Sequence, residues 1–141
     1  MTDALGAQRI YHLGSEGGQW VVTNVTGDKC KDCNQKDTQS REHDDNGYLI
    51  SKTDWIGNVT HYTHNALGLE IERVEAYGTA LARTITTTWH TSLPLPIQID
   101  EAGRISRFEY DTKGHLLSRT AEDTNNPSLP TQRWFYTYTS E

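Results

Sequence analysis

Gly103-Arg104-Ile105-Ser106-Arg107-Phe108-Glu109-Tyr110-Asp111-Thr112-Lys113-Gly114-His115-Leu116-Leu117-Ser118-Arg119-Thr120 reads as one β-hairpin. Ile105 to Tyr110 and His115 to Thr120 are strand-length runs, and Asp111-Thr112-Lys113-Gly114 between them carries turn chemistry. The aspartate can accept hydrogen bonds from the backbone two residues on, while the glycine supplies the positive φ that other residues resist. The Asp-x-x-Gly spacing therefore has a local structural cause.

The unit recurs upstream with a period of 21 residues. Gly47 aligns with Gly68, Tyr48 with Leu69, Ile50 with Ile71, Lys52 with Arg73, Asp54 with Glu75, and Gly57 with Gly78. A third copy runs from Trp89-His90 through Asp100 and Gly103, shifted by 25 residues, which places a four-residue insertion within Ala76 to Arg83. Trp134-Phe135-Tyr136-Thr137-Tyr138-Thr139 reads as the opening strand of a fifth copy that the chain end cuts off. Repetition at such a period implies an array of small supersecondary units that bury surface against their neighbours. The expected organisation is an irregular N-terminal segment over 1–37, with short strands around Trp20-Val21-Val22, followed by a repeat array over 38–141.

Period-two alternation puts Tyr48, Ile50 and Lys52 on one face of a returning strand, as it does Leu69, Ile71 and Arg73, and His115, Leu117 and Arg119. Ile50, Ile71 and Leu117 are thus expected to stack across neighbouring hairpins. No helical period is sustained anywhere. The third copy has Leu93 in the glycine position and Pro94 and Pro96 on the strand, which predicts an edge, a bulge or a frayed connection.

The Tyr110-Asp111-x-x-Gly114-x-Leu116 core and its recurrence resemble the YD repeats of bacterial RHS (rearrangement hotspot) proteins over roughly residues 38 to 141. The pattern departs from that family where His43, His64 and Trp89 replace tyrosine and where Asn65, His90 and Thr139 replace aspartate. The resemblance implies an all-β fold of tandem antiparallel hairpins in one continuous curved sheet, part of a shell that encloses a C-terminal toxin or other cargo in a secreted or cell-surface protein. It also implies a bacterial origin. In the family the shell ends in a segment that cleaves itself with a pair of aspartates, and no such segment is evident here. The partners it implies are neighbouring repeats of the same polypeptide and an enclosed toxin domain.

Composition sets limits. Hydrophobic residues make up 34% of the 141 residues, so each hairpin buries little alone. Uncapped ends predict exposed edge strands and self-association through them. A net charge of -6 with scattered Lys and Arg argues against nucleic acid as the main partner. There is no 18-residue apolar stretch for a membrane span, and Met1-Thr2-Asp3-Ala4 does not open a signal peptide.

Several residues invite chemical readings. Cys30 and Cys33 form a Cys-x-x-Cys in a polar, turn-rich stretch. They can be a local disulfide or free thiols, contribute to a partial or intermolecular zinc site, or act in redox chemistry. Isolated pairs are more often structural, and the resemblance also favours a structural loop. No other cofactor is expected. His61 and His64 lie three apart on one strand and so point to opposite faces, while His43, His64 and His90 lie at or beside the repeat tyrosine position. His115 follows a turn glycine and is expected to be exposed. Asp54, Glu75, Asp100 and Asp111 recur beside glycines, where turn formation accounts for them, and no convergent pair of acids suggests an enzyme. Trp55, at a repeat junction, is the best exposed aromatic for a glycan contact, so a carbohydrate-binding or adhesion module is the rival reading. Trp89 and Trp134 are expected to pack on the inner face of the sheet.

Overall fold

The computed structural model describes residues 8–27 and 38–138. These form β1 (Arg9–Glu16), β2 (Gln19–Gly27), β3 (Thr38–His43), β4 (Leu49–Thr53), β5 (Val59–His64), β6 (Glu70–Glu75), β7 (Arg83–Trp89), β8 (Pro96–Glu101), β9 (Arg104–Tyr110), β10 (Leu116–Asp123) and β11 (Gln132–Phe135). All eleven belong to one antiparallel sheet whose spatial order is the chain order. The continuous all-β sheet expected from the repeats is therefore present. It is open and uncurled, with β1 and β11 at opposite edges, so these strands alone do not close a shell. The N-terminal segment is more regular than expected, because β1 and β2 make a long hairpin that joins the array through β2 and β3.

The turns explain why the sheet folds back where it does. Asp44, Asp54, Asn65 and Asp111 each use side-chain Oδ1 to accept two backbone N–H bonds, from the second and fourth residues on, at 2.8–3.0 Å. The fourth residue of each turn, Gly47, Gly57, Gly68 or Gly114, has φ between 76° and 91° and donates its N–H to the carbonyl of the first. Asp54-x-x-Gly57 makes the same turn as Asp111-x-x-Gly114, so one device serves both within and between hairpins. In the third copy His90 takes the place of the carboxylate, its Nδ1 accepting from the Ser92 N–H at 3.2 Å, and the turn is one residue longer.

One expectation about the strands needs correction. Ile50, Ile71 and Leu117 do not stack on a shared face as regular ladder residues. Each is the unpaired extra residue of a β-bulge, since His43 faces Leu49 while Glu42 faces Ser51, His64 faces Glu70 while Thr63 faces Glu72, and Tyr110 faces Leu116 while Glu109 faces Ser118. Ile97 occupies the same position in the third copy. A bulge adds twist and re-aims a side chain, which is why Ile50, Ile71 and Leu117 are exposed. Of the outcomes expected for the third copy, an edge, a bulge or a frayed connection, the structure has the bulge: Pro96 faces Trp89 while Gln98 faces Thr88, and the strand it opens is interior.

A single-layer sheet has little interior. Among the described residues the buried apolar side chains are Val25, Ile85 and Ala121. The chain exposes 10187 Å², against about 7,400 Å² for a compact chain of its mass. The two faces nevertheless differ. Register and alternation place Tyr11, Leu13, Val22, Val25, Tyr62, Ile85, Trp89, Ile99, Phe108 and Trp134 on one face. The other carries Ser40, Glu42, Ser51, Glu72, Thr86, Gln98, Asp100, Arg107, Glu109, Ser118 and Glu122.

Candidate functional site

The apolar face is held in register by a clamp between neighbouring hairpins. Trp89 Nε1 donates to the Glu70 carbonyl at 2.8 Å, Tyr110 Oη to the Pro96 carbonyl at 2.9 Å, and Tyr138 Oη to the Leu116 carbonyl at 3.0 Å. Each acceptor immediately precedes the bulge residue of the hairpin before. The repeat tyrosine is thus a structural residue whose ring spans a strand and whose polar tip satisfies a carbonyl that the bulge leaves available. Rings at the same position also pack on the residue after the preceding turn glycine, His64 on Tyr48 at 5.6 Å and Tyr138 on His115 at 5.0 Å. Burial pushes the Tyr110 hydroxyl pKa up.

Cations are interleaved with these rings. Arg119 lies 5.8 Å from the Phe108 ring centroid and 5.4 Å from that of Trp134, within cation–π range. Arg73, its counterpart in the second copy, is bonded to Glu70 and Glu75 at 3.1 and 3.0 Å, and Glu75 also takes Arg83 at 2.6 Å. The Arg83 and Arg73 hydrogen bonds hold the Glu75 carboxyl below its ordinary range.

The residues singled out from sequence are distributed along the sheet and do not converge. Gly47, Gly57, Gly68, Gly78, Gly103 and Gly114 all have positive φ. Asp54 and Asp111 are turn acceptors, but Glu75 and Asp100 are not. Both lie within strands, where Glu75 pairs with arginines and Asp100 accepts from Gln98 Nε2 at 3.1 Å. Turn chemistry therefore accounts for only part of that acidic series. Trp55 is half-buried, its ring reaching Gly27 of β2, whereas Trp20 is 77% exposed and is the more open indole. Trp89 is half-buried and Trp134 is 39% exposed, both on the apolar face. His61 stacks on Tyr77 at 3.7 Å, away from His64, and His115 is exposed and bonded to Asp111 Oδ2 at 2.8 Å. Cys30 and Cys33, with the zinc reading attached to them, lie outside the described residues. Among the described residues no three His, Cys, Asp or Glu side chains cluster as a metal site.

One concavity lies between successive turns, a groove of about 420 Å³ lined by Asp44, Tyr48, Tyr62, Thr63, His64 and Asn65 among others. It combines aromatic rings with hydrogen-bonding groups, and its acid is committed: the Tyr48 and Asn46 N–H groups hold the Asp44 carboxyl below its ordinary range.

Comparison with known proteins bears on the fold. Neither a protein-family model nor a curated protein sequence matches the chain. Its structure is similar to a chain in the structure of a Photorhabdus luminescens Tc holotoxin pore carrying a TccC3 mutation, with a TM-score of 0.69 and 13% identity. The likeness covers 85% of this chain and 6% of that one, so the chain spans a small part of the protein it matches. At that identity what is shared is the architecture, a sheet of β-hairpins from a toxin complex. No helix of the described residues is long and apolar enough to cross a membrane, which leaves β-barrel spanning untouched.

Proposed function

We propose that the chain is a structural segment of an RHS-type repeat shell, contributing a stretch of wall to a container for a C-terminal toxin or other cargo in a secreted or cell-surface protein. The observation that carries this reading is the one-layer sheet of serially ordered hairpins that follows a toxin-complex chain over most of its length. A wall is the role that suits such a sheet. It has almost no core, so its stability comes from neighbours, and its two chemically different faces suit the two sides of a partition. The reading assigns no catalysis to this segment and gives it neighbouring repeats as partners. The test is to purify the native polypeptide containing this segment, size it, and image it by electron microscopy with limited proteolysis alongside. A large hollow particle whose interior segment resists protease is expected. A native chain of 16.0 kDa, or a solid particle, would sink the proposal.

A carbohydrate-binding or adhesion module is the second reading, favoured by the aromatic-lined groove at Tyr48, Tyr62 and His64 and by the exposed Trp20. Saturable glycan binding lost in Tyr62→Ala or Trp20→Ala would move it ahead.

A further inference from the structure

Arg41 on β3 and Lys52 on β4 are cross-strand partners on the apolar face, two cations set directly opposite each other. Cross-strand partners have Cβ atoms about 5 Å apart, and like charges placed directly opposite are destabilising. His43, two residues along β3 from Arg41, projects to the same side. None of the three is relieved by a partner: Arg41 Nη1 and His43 Nδ1 are enclosed without a hydrogen bond, and Lys52 makes no ion pair with a described residue.

The local supply of acids is also wrong for an internal solution. The acids on β1 to β5 are Glu16 and Glu42, and register puts both on the opposite face. Asp54 follows Lys52 at the same parity, but its Oδ1 is taken by the Ile56 and Asn58 N–H groups and its Oδ2 by Asn58 Nδ2. Arg73, the counterpart of Lys52 in the next repeat, shows how the same position is satisfied elsewhere, with two glutamates in contact. Among the described residues the Arg41–Lys52 pair is a position on this face where cations meet and no carboxylate is provided.

We infer that Arg41, Lys52 and His43 form a carboxylate-binding site for an acidic polypeptide segment laid on the apolar face. A carboxylate placed between the guanidinium and the ammonium would replace repulsion with charge-assisted hydrogen bonds. The surroundings select a polypeptide over a small anion. Tyr11, Leu13 and Tyr62 lie on the same face, the first two exposed, and only an occupant with apolar side chains beside its acids covers them. Arg41 and Lys52 are each half-buried, so part of each side chain is open to an occupant even though Arg41 Nη1 and His43 Nδ1 are themselves enclosed. The inference stands on this chain alone and does not depend on the shell reading.

The test is fluorescence anisotropy of a fluorescein-labelled peptide alternating Leu and Glu, titrated with the 141-residue chain. Saturable binding is expected, weakened at least tenfold by R41Q/K52Q and at least tenfold by Gln for Glu in the peptide, as loss of charge-assisted bonds requires. R83Q, which removes a cation engaged elsewhere, should bind as the parent does. Circular dichroism and thermal melting of R41Q/K52Q check its fold, and removal of a repelling pair should leave its Tm unchanged or higher. Equal binding of the Gln peptide, or of R41Q/K52Q, would overturn the site. Full competition by inorganic phosphate at concentrations near the peptide's own Kd would overturn the choice of a polypeptide.

Discussion

Substituting alanine at Gly68 separates backbone strain from packing between repeats. Gly68 has φ 76°, and a Cβ there would meet the Tyr48 ring at 2.5, 2.6 and 2.8 Å for Cε1, Cζ and Oη. Gly78 has nearly the same φ, 77°, with nothing within 4 Å of the added carbon. Alanine in the left-handed region costs about 1–2 kcal/mol, offset by about 0.4–1 kcal/mol from a less flexible unfolded chain. Gly78→Ala should therefore destabilise by about 1 kcal/mol. Gly68→Ala carries the same cost and must also push aside a ring packed against the next hairpin, an overpacking cost of about 1–3 kcal/mol. Its total should be about 2–4 kcal/mol, read as a shift in urea midpoint at unchanged slope. In a Tyr48→Ala background the excess should vanish and Gly68→Ala should fall to the Gly78→Ala value. Equal losses at the two glycines, or an excess that survives Tyr48→Ala, would refute the idea that Gly68 is a seat for the Tyr48 ring of the preceding repeat.

Tyr110→Phe removes one clamp to the Pro96 carbonyl and should cost about 0.5–1.5 kcal/mol in urea unfolding; no loss would mean the clamp contributes nothing. Ile85→Ala, at a side chain 2% exposed in the middle of the sheet, should cost about 2–5 kcal/mol, and a change below about 1 kcal/mol would show that the buried strip is not a core. Acid should weaken the sheet through its turns. Backbone N–H bonds from Tyr48 and Asn46 lower Asp44 and those from His115 and Lys113 lower Asp111; at Asp54 burial is the largest single effect and raises it, but the hydrogen bonds from Asn58, Ile56 and Gly57 together outweigh it and the net shift is downward. Because these carboxyls titrate lower when folded, the unfolded chain takes up protons first as pH falls. Their contribution is full above the ordinary aspartate range, near pH 4, and is lost below it. A chain with Asn at 44, 54 and 111 should show a flatter acid limb, as Asn65 already makes the same turn; an unchanged limb would place the acid sensitivity elsewhere, with Glu75 next.

The period, the hairpins and the turns were legible in the sequence because their causes are local. Asp111 and Gly114 act within five residues, and nothing distant has to be known to place them. The bulges at Ile50, Ile71 and Leu117 were not legible, because a bulge is a mismatch of count between two strands and strict alternation along one strand conceals it; at Ile97 the neighbouring prolines had made a bulge one of the expected outcomes. The same mismatch explains the repeat tyrosine: the residue is conspicuous in sequence, but its acceptor is a carbonyl of the preceding hairpin. Glu75 and Asp100 aligned with Asp54 by number and took different roles, since an ion pair and a strand amide replaced the turn. Trp55 was read as exposed from its position at a junction, and its contact with Gly27 depends on the β2–β3 pairing, which the repeat pattern does not encode.

The clamps point one way along the chain. In each, the donor comes later in sequence than the acceptor, by 19 residues from Trp89 to Glu70, 14 from Tyr110 to Pro96 and 22 from Tyr138 to Leu116. A polypeptide emerging from its N-terminus would always present the receiving carbonyl before the ring that seeks it. The contacts of such a sheet are local at every repeat, so the chain length that must be ordered to close each clamp is as short in a long array as in a brief one. Damage to one hairpin therefore removes the acceptor of the hairpin after it, while the clamps of the hairpins before it stay in place.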